Sequence, residues 1–304
     1  MGLLSVIGTV FFGCAPKSPF HKKGDSWYWK DESTGVPASV ALRPLNDQFA
    51  IAGAAAYFRS SVVTTTEGGS FQALDHEYAK DAAHVYFCDD YRDGKEYFLI
   101  RHHRVTTIHG ADATTFRLLG HGYARDTNTV YHAGRRFTVS DLASYERIDE
   151  TFARDTVRGY FGTTAVPNSD GRSFVPVDPH YSKDRAHVFY SRVVTDSSAP
   201  TGEVRTVQLE GADPASFVAL DDAYGTDGTR VYYRGKPLVG VTTPLEVLQF
   251  GYAKSGPLVY YEGVILEGAD AATFTVRVAT VEPSDAADAQ HVWFNGRRVV
   301  ATPP

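Results

Sequence analysis

Aspartate recurs along this 304-residue chain five places ahead of an aromatic pair: Asp81 before Tyr86-Phe87, Asp126 before Tyr131, Asp184 before Phe189-Tyr190 and Asp227 before Tyr232-Tyr233. Repeated carboxylates are what a calcium site needs, because a hard cation takes several oxygen ligands at once. One aspartate per copy does not gather such a set. The short polar segments that follow, "DAAH", "DTNT" and "DGTR", suit an Asx-turn in which the carboxylate accepts backbone N–H groups. The aspartates are therefore expected to form turns. His102, His103, His109, His121 and His132 share one region, and neutral imidazoles close together hold zinc or copper. Their spacing fits no standard site, and a polar strand face is the better reading. His84, His187 and His291 occupy one place in three copies, just before the aliphatic residue, and are simply repeat positions.

Other chemistries are weighed against the same background. A glycan-acting hydrolase would use a pair of carboxylates flanking the scissile bond, and the segments 88–109 and 191–210 are where this chain could place them. Recurring Tyr and Trp could stack on sugars, but a residue present in every copy is better explained as core. No phosphate-cradling glycine loop, dinucleotide fingerprint, nucleophile elbow or H-E-x-x-H pair occurs. The reading is of no catalytic residue, no metal and no cofactor.

The repetition is the dominant signal. Aligned on the aromatic pair, nine copies begin at Tyr28, Tyr57, Tyr86, Tyr131, Tyr160, Phe189, Tyr232, Tyr260 and Trp293, and the second position is aromatic in all but His132. The steps are 29, 29, 45, 29, 29, 43, 28 and 33 residues, so insertions of 14 to 16 residues follow copies three and six. A second landmark lies seven residues ahead of each leading aromatic, as with Phe71 and Tyr78, Phe116 and Tyr123, Phe174 and Tyr181, and Phe217 and Tyr224. The organisation predicted is one repeat domain over residues 20–304 in three triplets, about 20–109, 110–210 and 211–304.

Within a copy, "HVYF", "TVYH" and "RVYY" have the β-branched and aromatic character of strands, and "YHAGRRF", "YYRGKPL" and "WFNGRRVV" carry a glycine turn after them. The segments "GADATTF", "GADPASF" and "GADAATF" support one turn of helix each, with Asp112, Asp213 and Asp270 as N-caps. The fold class expected is all-β: about nine antiparallel hairpin units, solenoid-like or propeller-like, with three triplets that admit pseudo-threefold symmetry. In the aromatic pair the first member is expected to enter the core and the second to pack between units or face solvent.

The Asp with aromatics five and six places on, in Asp81-Tyr86-Phe87, Asp126-Tyr131, Asp184-Phe189-Tyr190 and Asp227-Tyr232-Tyr233, together with "GADxxTF", resembles the bacterial DKNYY repeat family. The resemblance runs from about Phe20 to Val300. The Lys-Asn that gives the family its name is largely missing, with Asn128 the nearest survivor, and Ser255 replaces the aspartate in copy eight. The resemblance implies an envelope or secreted bacterial protein of unknown biochemical activity, and brings no catalytic residue with it.

The N-terminal "MGLLSVIGTVFFGCAPKSP" ends an apolar run at Gly13-Cys14, like the end of a lipoprotein signal, followed by a Pro- and Lys-bearing tether. No Lys or Arg precedes the run, and "GTVFFG" also reads as a strand of a truncated first repeat. Residues 1–19 are thus a lipoprotein signal and tether with Cys14 as the lipidated residue, or a truncated repeat. A formal charge of −6 without long runs argues against a nucleic-acid or anionic-membrane surface. Taken together, the sequence points to a non-catalytic repeat protein presenting a binding or structural surface at the cell envelope or periplasm. Its partner would be a protein or an envelope polymer. A glycan-acting hydrolase is the alternative.

Overall fold

The chain alternates short β-type segments with turn residues, and the backbone follows. The computed structural model describes residues 18–65, 67–94, 101–196, 199–241, 244–277 and 284–299. Among them no helix occurs, and the strands form nine antiparallel sheets, the first of three strands and the other eight of four. Two compact units are present, one ending at Phe137 with four of the sheets, the other starting at Thr138 with five.

Every sheet is a meander of consecutive strands, shown by the fourth: Arg117–Gly120, Tyr123–Arg125, Val130–His132 and Arg135–Phe137. The middle pair is in register as Tyr123 opposite His132, Ala124 opposite Tyr131 and Arg125 opposite Val130. The hairpin that follows turns on Ala133-Gly134, with φ of 46° and 73°. Positive φ at both central residues is the type I′ geometry whose twist suits a two-residue hairpin, and glycine is the residue that adopts it without strain. The two insertions lengthen one hairpin each: Val85–Tyr91 pairs with His102–Thr107, and Val188–Asp196 with Ala199–Gln208. "GADATTF" makes a single turn, closed by the Phe116 N–H on the Asp112 carbonyl at 2.9 Å, and the chain then leaves. The expected turn of helix is thus an isolated turn.

The core is built between successive sheets. Phe116 lies with its ring centroid 5.6 Å from Tyr78 of the preceding copy and 5.4 Å from Tyr131 of its own. Phe71 stands in the same way between Phe49 and Tyr86, Phe174 between Phe152 and Phe189, and Phe217 between Tyr181 and Tyr232. These offset and tilted contacts are the geometry that aromatic quadrupoles favour. From copy three onward the first member of the aromatic pair is buried, from Tyr86 through Tyr131, Tyr160, Phe189, Tyr232 and Tyr260 to Trp293. In copies one and two the order is reversed: Tyr28 and Tyr57 are half-buried, while Trp29 and Phe58 are buried. Lys23 and Ala52 stand there where later copies have aspartate, so neither phenol has that buried acceptor to reach.

The second member of the pair lies at the seam between neighbouring copies. A Cβ on Gly134 would meet Phe87 of the preceding copy at 2.7 Å, and one on Gly263 would meet Tyr233 at 2.5 Å. The same glycines bind the leading aromatic of that copy through their amides: Gly134 N–H donates to the Tyr78 hydroxyl at 2.9 Å and Gly263 N–H to the Tyr224 hydroxyl at 3.3 Å. One glycine turn therefore closes the hairpin of its own copy and seals the copy before.

Emptying a buried aromatic site leaves a cavity that the surroundings only partly fill. Tyr86→Ala and Tyr232→Ala should each lose about 3 kcal/mol in urea unfolding, whereas Tyr28→Ala should lose under about 1 kcal/mol. Losses below about 0.5 kcal/mol at both Tyr86 and Tyr232 would show that these rings are not core.

Candidate functional site

Where a copy has the recurrent aspartate, that carboxylate is the centre of a dense hydrogen-bond set. Asp126, 2% exposed, accepts from the amides of Asn128 and Thr129 on Oδ1, at 2.7 and 2.8 Å. Its Oδ2 accepts from the Tyr131 hydroxyl at 2.7 Å and from the amide of Asp112 at 2.9 Å. Asp155 repeats the arrangement with Val157, Arg158, Tyr160 and Asp141. Asp81, Asp184, Asp227 and Asp288 keep the two-amide turn, and the last three also accept from the amide of an aspartate upstream. A buried carboxylate is tolerated when its lone pairs are filled in this way. Burial works against the Asp126 charge, but the bonds from Asp112, Tyr131, Asn128 and Thr129 outweigh it and hold the carboxyl below the usual range. Asp81, Asp155 and Asp227 are depressed by the same contest, and Asp288 to about 2.

Two further sets of aspartates do related work. Asp75, Asp149, Asp178 and Asp221 cap the turn ahead of the leading aromatic, as when Asp149 accepts from the amides of Thr151 and Phe152. Asp112, Asp141, Asp170, Asp213 and Asp270 accept from the hydroxyl three residues on. In four of these that hydroxyl, on Thr115, Ser144, Ser173 or Thr273, accepts from an amide of the recurrent turn. Carboxylates that resemble cation ligands in the sequence thus spend their oxygens on the backbone. Among the described residues no set of three His, Cys, Asp or Glu is gathered around a common point.

The histidines are placed one by one. His103, buried in the third sheet, bonds through Nδ1 to Asp90 at 2.8 Å and through Nε2 to Glu32 at 2.7 Å. The two carboxylates lie on opposite nitrogens and diverge, so the ring bridges them. Arg59 pairs with Asp90 and lies over the Trp29 and Phe58 rings, 4.8 and 4.9 Å from their centroids. Burial opposes the Asp90 charge, and the Arg59 and His103 bonds overcome it, so its carboxyl sits below the usual range. His102, on the opposite strand face, stacks on Tyr91 at 5.2 Å, and His132 stacks on Tyr123 at 4.0 Å. The carbonyl of His109 accepts from Arg136.

Beside this network, in the first unit, is a cleft of about 550 Å³ whose lining includes Gln48, Glu77, Asp89, Asp90, His121 and His132. Asp89 is held by both guanidinium nitrogens of Arg104, and Asp90 by Arg59 and His103. Glu77 differs: although the residue is exposed, partial desolvation of its carboxyl, with the charges of Asp75 and Asp89 behind it, raises it above the usual value. The Cys88 thiol in the same wall is fully buried and pushed up by burial and by Asp89, which leaves it unreactive.

Sequence comparison matches the DKNYY family over residues 20–135 and, in an overlapping alignment, over residues 49–193. The chain belongs to the DKNYY family. No curated protein and no solved structure matches it. In this DKNYY protein the aspartate and the first aromatic of the repeat are partners across one turn, as Asp81 with Tyr86, Asp126 with Tyr131 and Asp155 with Tyr160 show. Cys14 lies outside the described residues. Of the segments considered for a hydrolase, 88–109 brings Asp89 and Asp90 to the cleft, while Glu203 in 191–210 pairs with Arg205 on an exposed hairpin. The Glu32–His103–Asp90–Arg59 network was not legible in the sequence, because Glu32 and His103 are 71 residues apart and belong to different copies.

Depressed carboxyls make the fold acid-sensitive. Their contribution to stability is complete above the ordinary aspartate value of about 3.9 and is lost as pH falls through the lower folded values. The urea midpoint should therefore fall between about pH 4 and pH 2, and fall less steeply in Asp155→Asn. A midpoint indifferent to pH across that window would refute the assignment.

Proposed function

We propose that this DKNYY protein is a non-catalytic repeat protein presenting a binding or structural surface to a protein or polymer of the bacterial cell envelope, where Cys14 tethers it. One observation carries the reading. Residue types that could do chemistry are consumed, copy after copy, in the same hydrogen bonds that hold the turns together. The family is built from such repeats, and stacked units present a long surface that no single unit could. Cys14 follows an apolar run and precedes Pro16 and Pro19, which suits a short extended tether.

A second reading has one observation in its favour. The cleft of the first unit holds Glu77 with a raised carboxyl, which is what a general acid requires. Hydrolysis of a glycosidic bond needs a second, available carboxylate. Asp89 and Asp90 are both committed to ion pairs, so the non-catalytic reading is preferred.

One experiment separates the two. The full chain and Cys14→Ser are fractionated from cells, then incubated with envelope glycan while new reducing ends are measured. The expected result is a parent protein in the detergent-soluble membrane fraction, a soluble Cys14→Ser variant, and no reducing ends. Reducing ends that disappear in Glu77→Gln would establish the hydrolase, and an unmodified Cys14 thiol on a protein that begins at Met1 would remove the tether.

A further inference from the structure

The two lengthened hairpins are built on one plan and differ in charge. In the first unit Asp89 stands opposite Arg104, and the two form an ion pair. At the matching place in the second unit Arg192 stands opposite Arg205. Like charges directly across an antiparallel pair repel at a Cβ separation of about 5 Å, a defect that a hairpin has no structural reason to keep.

The surroundings add charge of the same sign. Arg192 and Arg205 line a cleft of about 440 Å³ together with Arg234, Lys236 and a single acid, Glu262. Among the described residues the four cations face Glu262 in the lining and Glu203 beside Arg205, which leaves two positive charges over. Arg234 sits in a positive-φ turn, its guanidinium 5.0 Å from the Tyr233 ring centroid and 3.7 Å from Glu262. The Tyr233 ring supports the guanidinium from one side, and the Glu262 contact at 3.7 Å is longer than a hydrogen bond, so a ligand can compete for the Arg234 N–H groups. Arg205 also approaches Glu203 at 3.5 Å, but both side chains are about half exposed, where such a pair contributes little. In the first unit the corresponding hollow, about 160 Å³, has Ala133 in the place of Arg234.

We propose that the cleft of the second unit binds a pair of phosphate-type oxyanions, either in a small diphosphate or as successive phosphates of a polymer. Arg192 and Arg205 reach one group from both strands, and Arg234 with Lys236 the next. Guanidinium forks match phosphate oxygens two at a time, and an excess of two charges spread over four cations calls for a ligand that carries more than one. The inference deepens the binding-module reading and rests on it only for the lack of turnover.

The test uses the full chain at low ionic strength, titrated calorimetrically with pyrophosphate, with long-chain polyphosphate and with inorganic phosphate. Binding of pyrophosphate equal to that of polyphosphate per site identifies the small ligand, and tighter binding of polyphosphate the polymer. Either outcome supports the site, as does a weaker response to inorganic phosphate. Arg192→Asp should weaken binding by about tenfold or more while melting no lower than the parent, since it recreates the ion pair of the first unit. Lys236→Gln should weaken binding with an unchanged melting temperature, and decides the matter if Arg192→Asp does not fold. Arg135→Gln, in the first unit, should change nothing. No binding by the parent, or equal affinity in Arg192→Asp and Lys236→Gln, would overturn the site. Release of orthophosphate by a parent that still binds would overturn the non-catalytic reading instead.

Discussion

In six of the nine copies the turn between the two middle strands is organised around a carboxylate taken out of water and paired, from Asp81 to Asp288. In a sheet with strands as short as three residues, the ladder supplies few hydrogen bonds, and the loop that reverses the chain would otherwise leave its amides unsatisfied. Asp126 satisfies two of them, fixes the phenol of Tyr131 in the core, and reaches an amide fourteen residues back in the chain. A neutral asparagine could accept some of these bonds, but charge makes them shorter and stronger, which is what a site of this degree of burial requires. Tyrosine is then preferred over phenylalanine because it brings a donor to a place that has only acceptors. Copy six shows the converse, where Phe189 has no hydroxyl and Asp184 keeps its three amide bonds.

The same economy governs how copies join. The rings of one sheet pack on each other, and their burial is completed by a neighbour's landmark ring and, where the next hairpin is short and carries glycine, by its turn. Phe116 between Tyr78 and Tyr131, and Gly134 against Phe87, place the third and fourth sheets under one set of packing constraints. Stability in such an array is a sum of small intrinsic terms and larger interface terms, so folding is expected to propagate from neighbour to neighbour.

Much of this was legible in the sequence, because it is periodic. The spacing of five between Asp126 and Tyr131, the Asx-turn after it and the glycine of "YHAG" all follow from residue types at fixed distances. What stayed hidden was what the period does not carry. The inversion at Tyr28 and Tyr57 goes with Lys23 and Ala52 in the aspartate's place but does not follow from that alone, since Tyr260 is buried behind Ser255, and it shows only once the core is built. Glu32 and His103 meet through tertiary packing. The register of the lengthened hairpins, which sets Asp89 against Arg104 but Arg192 against Arg205, lies in the two stretches where the repeat is interrupted.

The docking of a glycine turn on the preceding ring also gives the array a direction. A copy such as the fourth presents two unlike sides: a glycine turn and a landmark ring toward its predecessor, and the rings of its aromatic pair toward its successor. Removing a successor strips the glycine turn from the pair's second ring, whereas removing a predecessor uncovers that turn and one side of the landmark ring, as Tyr78 covers Phe116. Phe294, on which no such turn rests among the described residues, is 42% exposed, against 5% for Phe87 beneath Gly134. Shortening the array from its two sides is therefore not equivalent: one cut bares the second ring of an aromatic pair, and the other bares a landmark ring beside a polar turn.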